Sequence, residues 1–522
     1  MTESEPFLYS KLEADDNEEQ TATAIPLEDH YHDDPALTPR QDHADLQRYV
    51  PRTYWSLWRD ISEWISSRVE KATYVWPPTP PTTQDVKQAL IQALPRLFRP
   101  TSLRKTFEPG PTAYLDALRG YAAWNVFLAH GYKGYHFWYK QQPFLSALMA
   151  GEAMVALFFV ISGYVLSYRL LIYTRNRSGE MLLVGLASST FRRGIRLYGS
   201  TIVALFAALI LVRLRLYTDA GKGNFYFESM WIQLNDWFWT LFYFLNPFSN
   251  QIWGYYKEES LQNKYLGQMW TIPVELRGSM ILFIYIAATC KLPVYTRIAL
   301  TCLLVIVSHY WMVLYVAQFL MGMLIAEFAL LRYPERLTVS VSLTEHRNGP
   351  REQSVASKCF WTLVFIVGLF LLGQPDEDTN TLGIFGDWPW ALLRSWLPNW
   401  LGYGEKIYWY LGFGSFFLIL GLEMYPTLQV PLRWGWSQYV GELSFGIYAL
   451  HVPLIFTITI YWWDPKVRVA NEWGDGWGVL PGALVIHVAV FTCADYFNRI
   501  DKRVVRLGRW IQEQCFERWE KL

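Results

Sequence analysis

The feature that most restricts the fold of this 522-residue chain is a succession of long apolar segments from residue 113 onward. About 20 apolar residues cross the hydrocarbon core of a bilayer as a helix, and a helix satisfies its own backbone hydrogen bonds there. We therefore predict an all-α, polytopic integral membrane protein. Its predicted spans lie near residues 113–133, 150–171, 197–216, 268–289, 295–311, 312–331, 358–374, 406–424, 439–461 and 477–497.

The run from Ile298 to Ala326 decides the number of spans, because it has no formally charged residue and is too long for one ordinary crossing. Lysine and arginine favour the cytosolic loops of membrane proteins. A split of the run at the sequence SHYWM places the basic groups near residues 169–196, 332–358 and 502–509 on the side of both termini. We therefore predict about ten transmembrane helices with both termini in the cytosol.

The rest of the chain has a different composition. Residues 1–45 are acidic and poor in apolar side chains, which predicts a disordered tail without a signal peptide. Residues 46–110 contain amphipathic helical patterns and the proline-rich spacer WPPTPPTT, and these helices lie either in the membrane interface or on the cytosolic surface of the protein. Residues 111–498 form the transmembrane domain, and residues 499–522 predict a basic amphipathic helix on the cytosolic membrane face.

Bulk composition also excludes some classes of function. The formal net charge is zero, which argues against a nucleic-acid partner. The five cysteines have no C-x-x-C spacing, so neither a zinc site nor a disulfide framework is expected. Tryptophan-rich outer loops indicate interfacial belts, although aromatic stacking on sugar rings is an alternative.

Ionisable residues inside membrane spans are functional candidates, because burying them is costly. The first span contains Asp116, Arg119 and His130. On an ideal helix Arg119 and His130 lie on one face, about 16 Å apart along the axis, and Asp116 lies almost one turn before Arg119. The alternative is that Asp116 and Arg119 simply pair at a helix start while His130 anchors the helix at the interface.

His130 is a candidate general base, because histidine titrates near neutrality and accepts protons when neutral. Glu275, in the sequence MWTIPVELRGS, is predicted near the outer end of its span and could orient such a ring. Its alternative is a local pairing with Arg277. Arg193 and Arg196 are three residues apart on one helix face, a spacing that suits phosphate binding; the alternative, which this pair taken alone favours, is ordinary positive-inside charge.

Several motifs in this order resemble the membrane acyltransferase 3 family, in particular its fungal members: YLDALRGYAAWNVFLAHGY, VALFFVISGYVLS, FRRGIRLYGS, MWTIPVELRGS and LSFGIYALHVPL. The resemblance covers about residues 113 to 498. It implies a ten-helix acyltransferase 3 domain that transfers an acyl group from acyl-CoA to a hydroxyl of a sugar, glycan or small metabolite. Acyl-CoA is the implied co-substrate, and neither a metal nor a prosthetic group is implied.

The resemblance also implies roles for individual residues. By position, His130 matches the catalytic histidine of the family and Glu275 its acidic residue, and Asp116 is a further catalytic candidate. The residues implied in acyl-CoA binding are Arg119, Arg193 and Arg196. Possible cavity residues are Ser444, Tyr448 and His451, although His451 could instead belong to a local kink at Pro453.

We expect His130 to act as general base in a direct transfer, and an acyl-histidine relay is the competing mechanism. A transporter or permease that uses the same polar residues is the main alternative function, and a catalytically silent sensor is another. An unrelated membrane-bound O-acyltransferase fold would carry its histidine late in the chain. The expected surroundings are an endomembrane or the plasma membrane, with the lipid bilayer, acyl-CoA and a hydroxyl-bearing acceptor as partners.

Overall fold

The computed structural model describes residues 87–88, 91–99, 112–132, 142–217, 226–249, 263–337, 353–374, 388–401, 403–474 and 477–520. The predicted tail of residues 1–45 and most of the predicted region 46–110 lie outside these ranges. The chain divides into two units, of which the smaller covers residues 27–105. In its described part, a 3-10 helix (Arg96–Phe98) is followed by Arg99, whose guanidinium donates to the carbonyls of Leu94 and Gln92 at 2.9 and 2.6 Å.

The regular secondary structure of the larger unit is helical in its described residues, apart from one isolated bridge between Asn263 and Leu266. Its α-helices are α1 (Ala113–Gly131), α2 (Gly151–Arg175), α3 (Gly179–Arg213), α4 (Met230–Phe244), α5 (Thr271–Thr289), α6 (Val294–Tyr310), α7 (Leu314–Arg332), α8 (Val355–Leu372), α9 (Trp390–Ser395), α10 (Tyr403–Met424), α11 (Gly435–Glu442), α12 (Ser444–Leu454) and α13 (Leu480–Glu520). A π-helix (Ile455–Arg468) continues α12. Short 3-10 helices are Leu145–Met149, Gly267–Trp270, Pro334–Leu337, Pro426–Arg433 and Trp477–Val479.

Within the described ranges, seven helical stretches are long and apolar enough to cross a membrane, so the protein is a multi-pass membrane protein. They are α2, α3, α7, α8, α5 with its 3-10 turn, α12 with its π-helix, and α13 with its 3-10 turn. An eighth arises if α10 and the 3-10 helix after it, which meet at 97°, count as one span. α6 is shorter, with 17 residues, and α1 carries too many polar residues to qualify by hydropathy. The ten spans and the cytosolic termini stay predictions.

The uncharged run from Ile298 forms two helices, as the division at SHYWM predicts. α6 ends at Tyr310 and α7 begins at Leu314. Met312, between them, has a φ of 58°, which lies in the left-handed region and cannot continue an α-helix.

α13 continues without interruption through the predicted domain boundary at residue 498. Its 41 residues have a length of about 61 Å at 1.5 Å per residue, about twice the hydrocarbon thickness. The part beyond residue 498 packs against α3: Ser200 donates to Asp501 at 2.5 Å, and Ser188 donates to Gln512 at 3.1 Å. The basic C-terminal segment is therefore the end of the last helix rather than a separate one.

Two buried carboxylates join helices on the predicted cytosolic side. Glu327 of α7 accepts hydrogen bonds from Arg175 of α2 and from Arg297 of α6, the latter at 2.5 Å. Glu423 of α10 accepts from the Tyr114 hydroxyl of α1 at 2.6 Å and from Arg336 at 2.5 Å. A charge removed from water needs such partners, so these contacts fix the ends of several helices.

α2 and α7 pack backbone against backbone, since small residues allow helices to approach closely. A Cβ added to Gly163 would lie 2.1 Å from the Phe319 carbonyl oxygen, and one added to Gly322 would lie 2.1 Å from that of Val160. Neither site has room for a methyl group.

We predict that Gly163→Ala lowers the thermal unfolding midpoint of the purified protein by several degrees, because α2 and α7 must move apart. The matched control is Gly194→Ala, also within a helix, where an added Cβ meets nothing within 4 Å. The control should be neutral or stabilising by about 0.5–1 kcal/mol, because alanine favours helix over glycine. Equal midpoints for the two variants would contradict the packing.

Candidate active site

A cavity of about 110 Å³ lies between α1, α2, α3, α5, α12 and α13. Much of its wall is apolar and includes Phe158, Phe159, Ile272 and Phe445. Its lining also contains six of the residues singled out from the sequence, namely Arg119, Arg193, Arg196, Glu275, Ser444 and Tyr448. The fold thus brings together residues that are up to 329 positions apart in the chain.

The wall of this cavity contains an ion pair between Arg193 of α3 and Glu275 of α5. Arg193 Nη2 donates to Glu275 Oε1 at 2.8 Å, and Arg193 Nε donates to Ser279 Oγ at 3.0 Å. Ser162 of α2 donates to the same glutamate oxygen at 2.9 Å. The two charged side chains are only 9% and 15% exposed, so the pair is held in apolar surroundings where its attraction is strong.

Arg119 and Arg196 present two further guanidinium groups to the cavity, from α1 and α3. The Arg119 Nε atom is buried and has no hydrogen-bond partner in the described part of the chain. A buried donor without a partner is costly. Arg119 and Arg196 thus add positive charge to the cavity wall, and Arg193 forms the ion pair with Glu275.

The end of the cavity toward α12 has a small hydrogen-bond network. The hydroxyls of Thr271 and Tyr448 lie 2.7 Å apart, and Tyr448 also donates to the backbone carbonyl of Gln268. The Gln268 amide in turn donates to the Ala449 carbonyl at 3.1 Å. This network holds the start of α5 against α12.

The two histidines predicted from the sequence lie beyond this network and do not belong to the cavity lining. The rings of His130 and His451 have their centroids 5.1 Å apart, and His451 is 6.0 Å from the Tyr448 ring. His130, in the last turn of α1, is exposed, whereas His451 is fully buried. His130 Nδ1 lies 2.9 Å from the Val126 carbonyl oxygen, so Nδ1 carries the hydrogen and Nε2 is the basic nitrogen.

The remaining predicted residues are placed as follows. Asp116 is half-buried in the first turn of α1, outside the cavity lining. The alternative pairing of Glu275 with Arg277 is wrong: Glu275 binds Arg193, and Arg277 donates to the carbonyls of Pro247 and Ser249 at 3.0 and 2.7 Å. Among the described residues, no group of three or more His, Cys, Asp or Glu is placed to hold a metal ion.

Sequence reasoning missed several polar residues of the site. Ser162, an uncharged residue of the VALFFVISGYVLS motif, donates to Glu275. Ser279, Thr271 and Gln268 lie in or beside the MWTIPVELRGS motif and were not singled out. These side chains carry no charge that would single them out in an apolar segment. Their place in the site is recognised only from their neighbours in the folded protein.

Comparisons with known proteins identify the family of the chain. A protein family described as "Acyltransferase domain" matches residues 112–499. O-acetyltransferase PaAT-1 of Phomopsis amygdali is 30% identical to the chain over 377 residues, which cover 66% of this chain and 73% of that protein. No solved structure matches the chain.

We predict that Arg193→Ala destabilises the protein by about 3 kcal/mol or more, because it leaves the Glu275 carboxylate buried without its cation. Arg196→Ala is the matched control, since Arg196 lies one turn away on the same helix and the ion pair with Glu275 is made by Arg193. The measurement is the thermal unfolding midpoint in detergent. Equal midpoints for the two variants would show that the ion pair does not hold α3 to α5.

Proposed function

The chain belongs to the acyltransferase 3 family, and on this premise we propose that it transfers an acyl group from acyl-CoA to a hydroxyl group of a glycan or small metabolite. The relative's O-acetyltransferase activity supports the reaction class and suggests acetyl-CoA as the donor. The family match favours an acyltransferase over a transporter with the same polar residues. The donor enters from the cytosolic side, in an endomembrane or the plasma membrane.

The cavity is the observation that carries this proposal. It places Arg119 and Arg196 beside apolar walls, and their guanidinium groups suit phosphate oxygens of the CoA moiety. The apolar wall suits the pantetheine arm. Extended along the cavity, this arm directs its thioester toward Tyr448 and the histidines beyond it.

In the proposed reaction His130 is the general base. Its Nε2 takes the proton of the acceptor hydroxyl, whose oxygen attacks the thioester carbonyl carbon. The tetrahedral intermediate collapses when the carbon–sulfur bond breaks, and the proton passes from His130 to the CoA thiolate. The exposure of His130 supports this role, because an acceptor can reach it without crossing the cavity. Arg193, held by Glu275, has a positioning role.

We predict that His130→Ala retains acetyl-CoA binding and loses at least about 100-fold in transfer rate, the usual contribution of a general base. Binding is measured by the rise in thermal midpoint with added acetyl-CoA, and turnover by the release of the CoA thiol. His309→Ala is the control, because that histidine packs against Trp409 and Phe413 and is not part of the cavity lining. Full activity of His130→Ala would exclude its role as base.

We predict the opposite pattern for Arg196→Ala. Loss of a charged contact to phosphate should raise the Kd for acetyl-CoA at least about tenfold, since hydrogen bonds to charged groups are worth about 1.5–3 kcal/mol. Turnover at saturating donor should change little.

Absence of acetyl-CoA binding to the unmodified protein would overturn the proposed function itself. Glycan and metabolite profiles of a deletion strain would then identify the acceptor.

A further inference from the structure

His451 contains a buried nitrogen whose hydrogen-bonding capacity is unused. The side chain is fully buried, and its Nε2 atom has no partner within the described residues. Its Nδ1 atom lies 2.8 Å from the Tyr448 carbonyl oxygen and 3.1 Å from that of Ile447. Nδ1 therefore carries the hydrogen, and Nε2 presents a lone pair.

The orientation of the ring directs this lone pair away from its own helix. Because Nδ1 is turned toward carbonyls of α12, the opposite edge of the ring faces outward from α12. α12 packs against α1. The described ring from another helix that contacts His451 is His130 of α1, at 5.1 Å between centroids and an interplanar angle of 51°.

A buried acceptor without a donor is unfavourable, and such groups in native proteins call for an explanation. Here the neighbour is the residue proposed to take a proton. When His130 takes the hydroxyl proton at Nε2, its ring becomes a cation beside the lone pair of His451. His451 is fully buried, so the side of the His130 ring that faces it is shielded from water and the attraction there is weakly screened.

We infer that His451 is a positioning residue that stabilises the protonated form of His130 during transfer. This inference rests on the proposed function, in which His130 is the base. The proton comes from the acceptor hydroxyl, stays on His130 while the thioester carbon–sulfur bond breaks, and leaves with the CoA thiolate. His451 stays neutral throughout and neither gains nor loses a proton.

The test uses the full-length protein and diethyl pyrocarbonate, which reacts with histidine nitrogens and places positive charge on the ring as the new nitrogen–carbon bond forms. His451→Phe keeps a ring of similar size but removes the lone pair. We expect the modification rate of His130, measured by peptide mass spectrometry, to fall about fivefold. This factor corresponds to the loss of one interaction that is as strong as a typical hydrogen bond. The thermal midpoint should not fall, because a buried unpaired atom has been removed.

Two further variants separate this role from a structural one. His451→Asn keeps a donor for the α12 carbonyls but has no atom at the Nε2 position. It should therefore lower the modification rate of His130 as His451→Phe does. His309→Phe changes another buried histidine, bonded through Nδ1 to Val305 at 2.7 Å, and should leave the His130 rate unchanged.

Several results would overturn the inference. One is an unchanged modification rate of His130 in His451→Phe, and another is a wild-type modification rate in His451→Asn. The third is a thermal midpoint of His451→Phe that falls together with the modification rate. These outcomes do not depend on a CoA substrate. A separate measurement of acetyl-CoA binding to the same proteins tests the proposed function, so the failure of one is distinguishable from the failure of the other.

Discussion

A charged side chain buried among apolar helices must be paired, and the Arg193–Glu275 contact is where the site depends on this constraint. It joins α3 to α5, and the Ser162 hydroxyl adds α2 to the same oxygen. Three walls of the cavity are thereby held in one arrangement. Because the attraction weakens if water enters, the pair and the apolar wall around it stabilise each other. The buried carboxylates of Glu327 and Glu423 are likewise paired with arginines on the predicted cytosolic side.

Much of the helical framework could be predicted from the sequence, because hydrophobic length is a local property. The predicted segments coincide with helices, and the division of the long uncharged run was predicted from basic residues far from it. The lengths of α3 and α13 were underestimated, since hydropathy marks only the part of a helix that lies in the membrane. Their extensions carry charges and are stabilised by contacts with each other, which no local pattern records.

The site was predictable only in part. The helical phase of α1 placed Arg119 and His130 on one stripe, and the structure puts Arg119 at the cavity and His130 beyond it. The partner of Glu275 could not be predicted from the sequence, because Arg193 is 82 residues away and pairing across helices depends on the packing of the whole bundle. His451 was ambiguous from its proline neighbour alone. Its buried, unpaired nitrogen becomes visible only when its surroundings are known.

The backbone contact between α2 and α7 has an evolutionary consequence. Ser162, which holds Glu275, directly precedes Gly163, whose missing side chain admits the Phe319 carbonyl. Replacement of Gly163 by a larger residue would displace Ser162 as well. This part of the cavity wall therefore tolerates few substitutions. A change of side chain at a lining position such as Phe158 or Phe445 would alter the cavity itself, whereas a change at Gly163 would first displace α2 from α7.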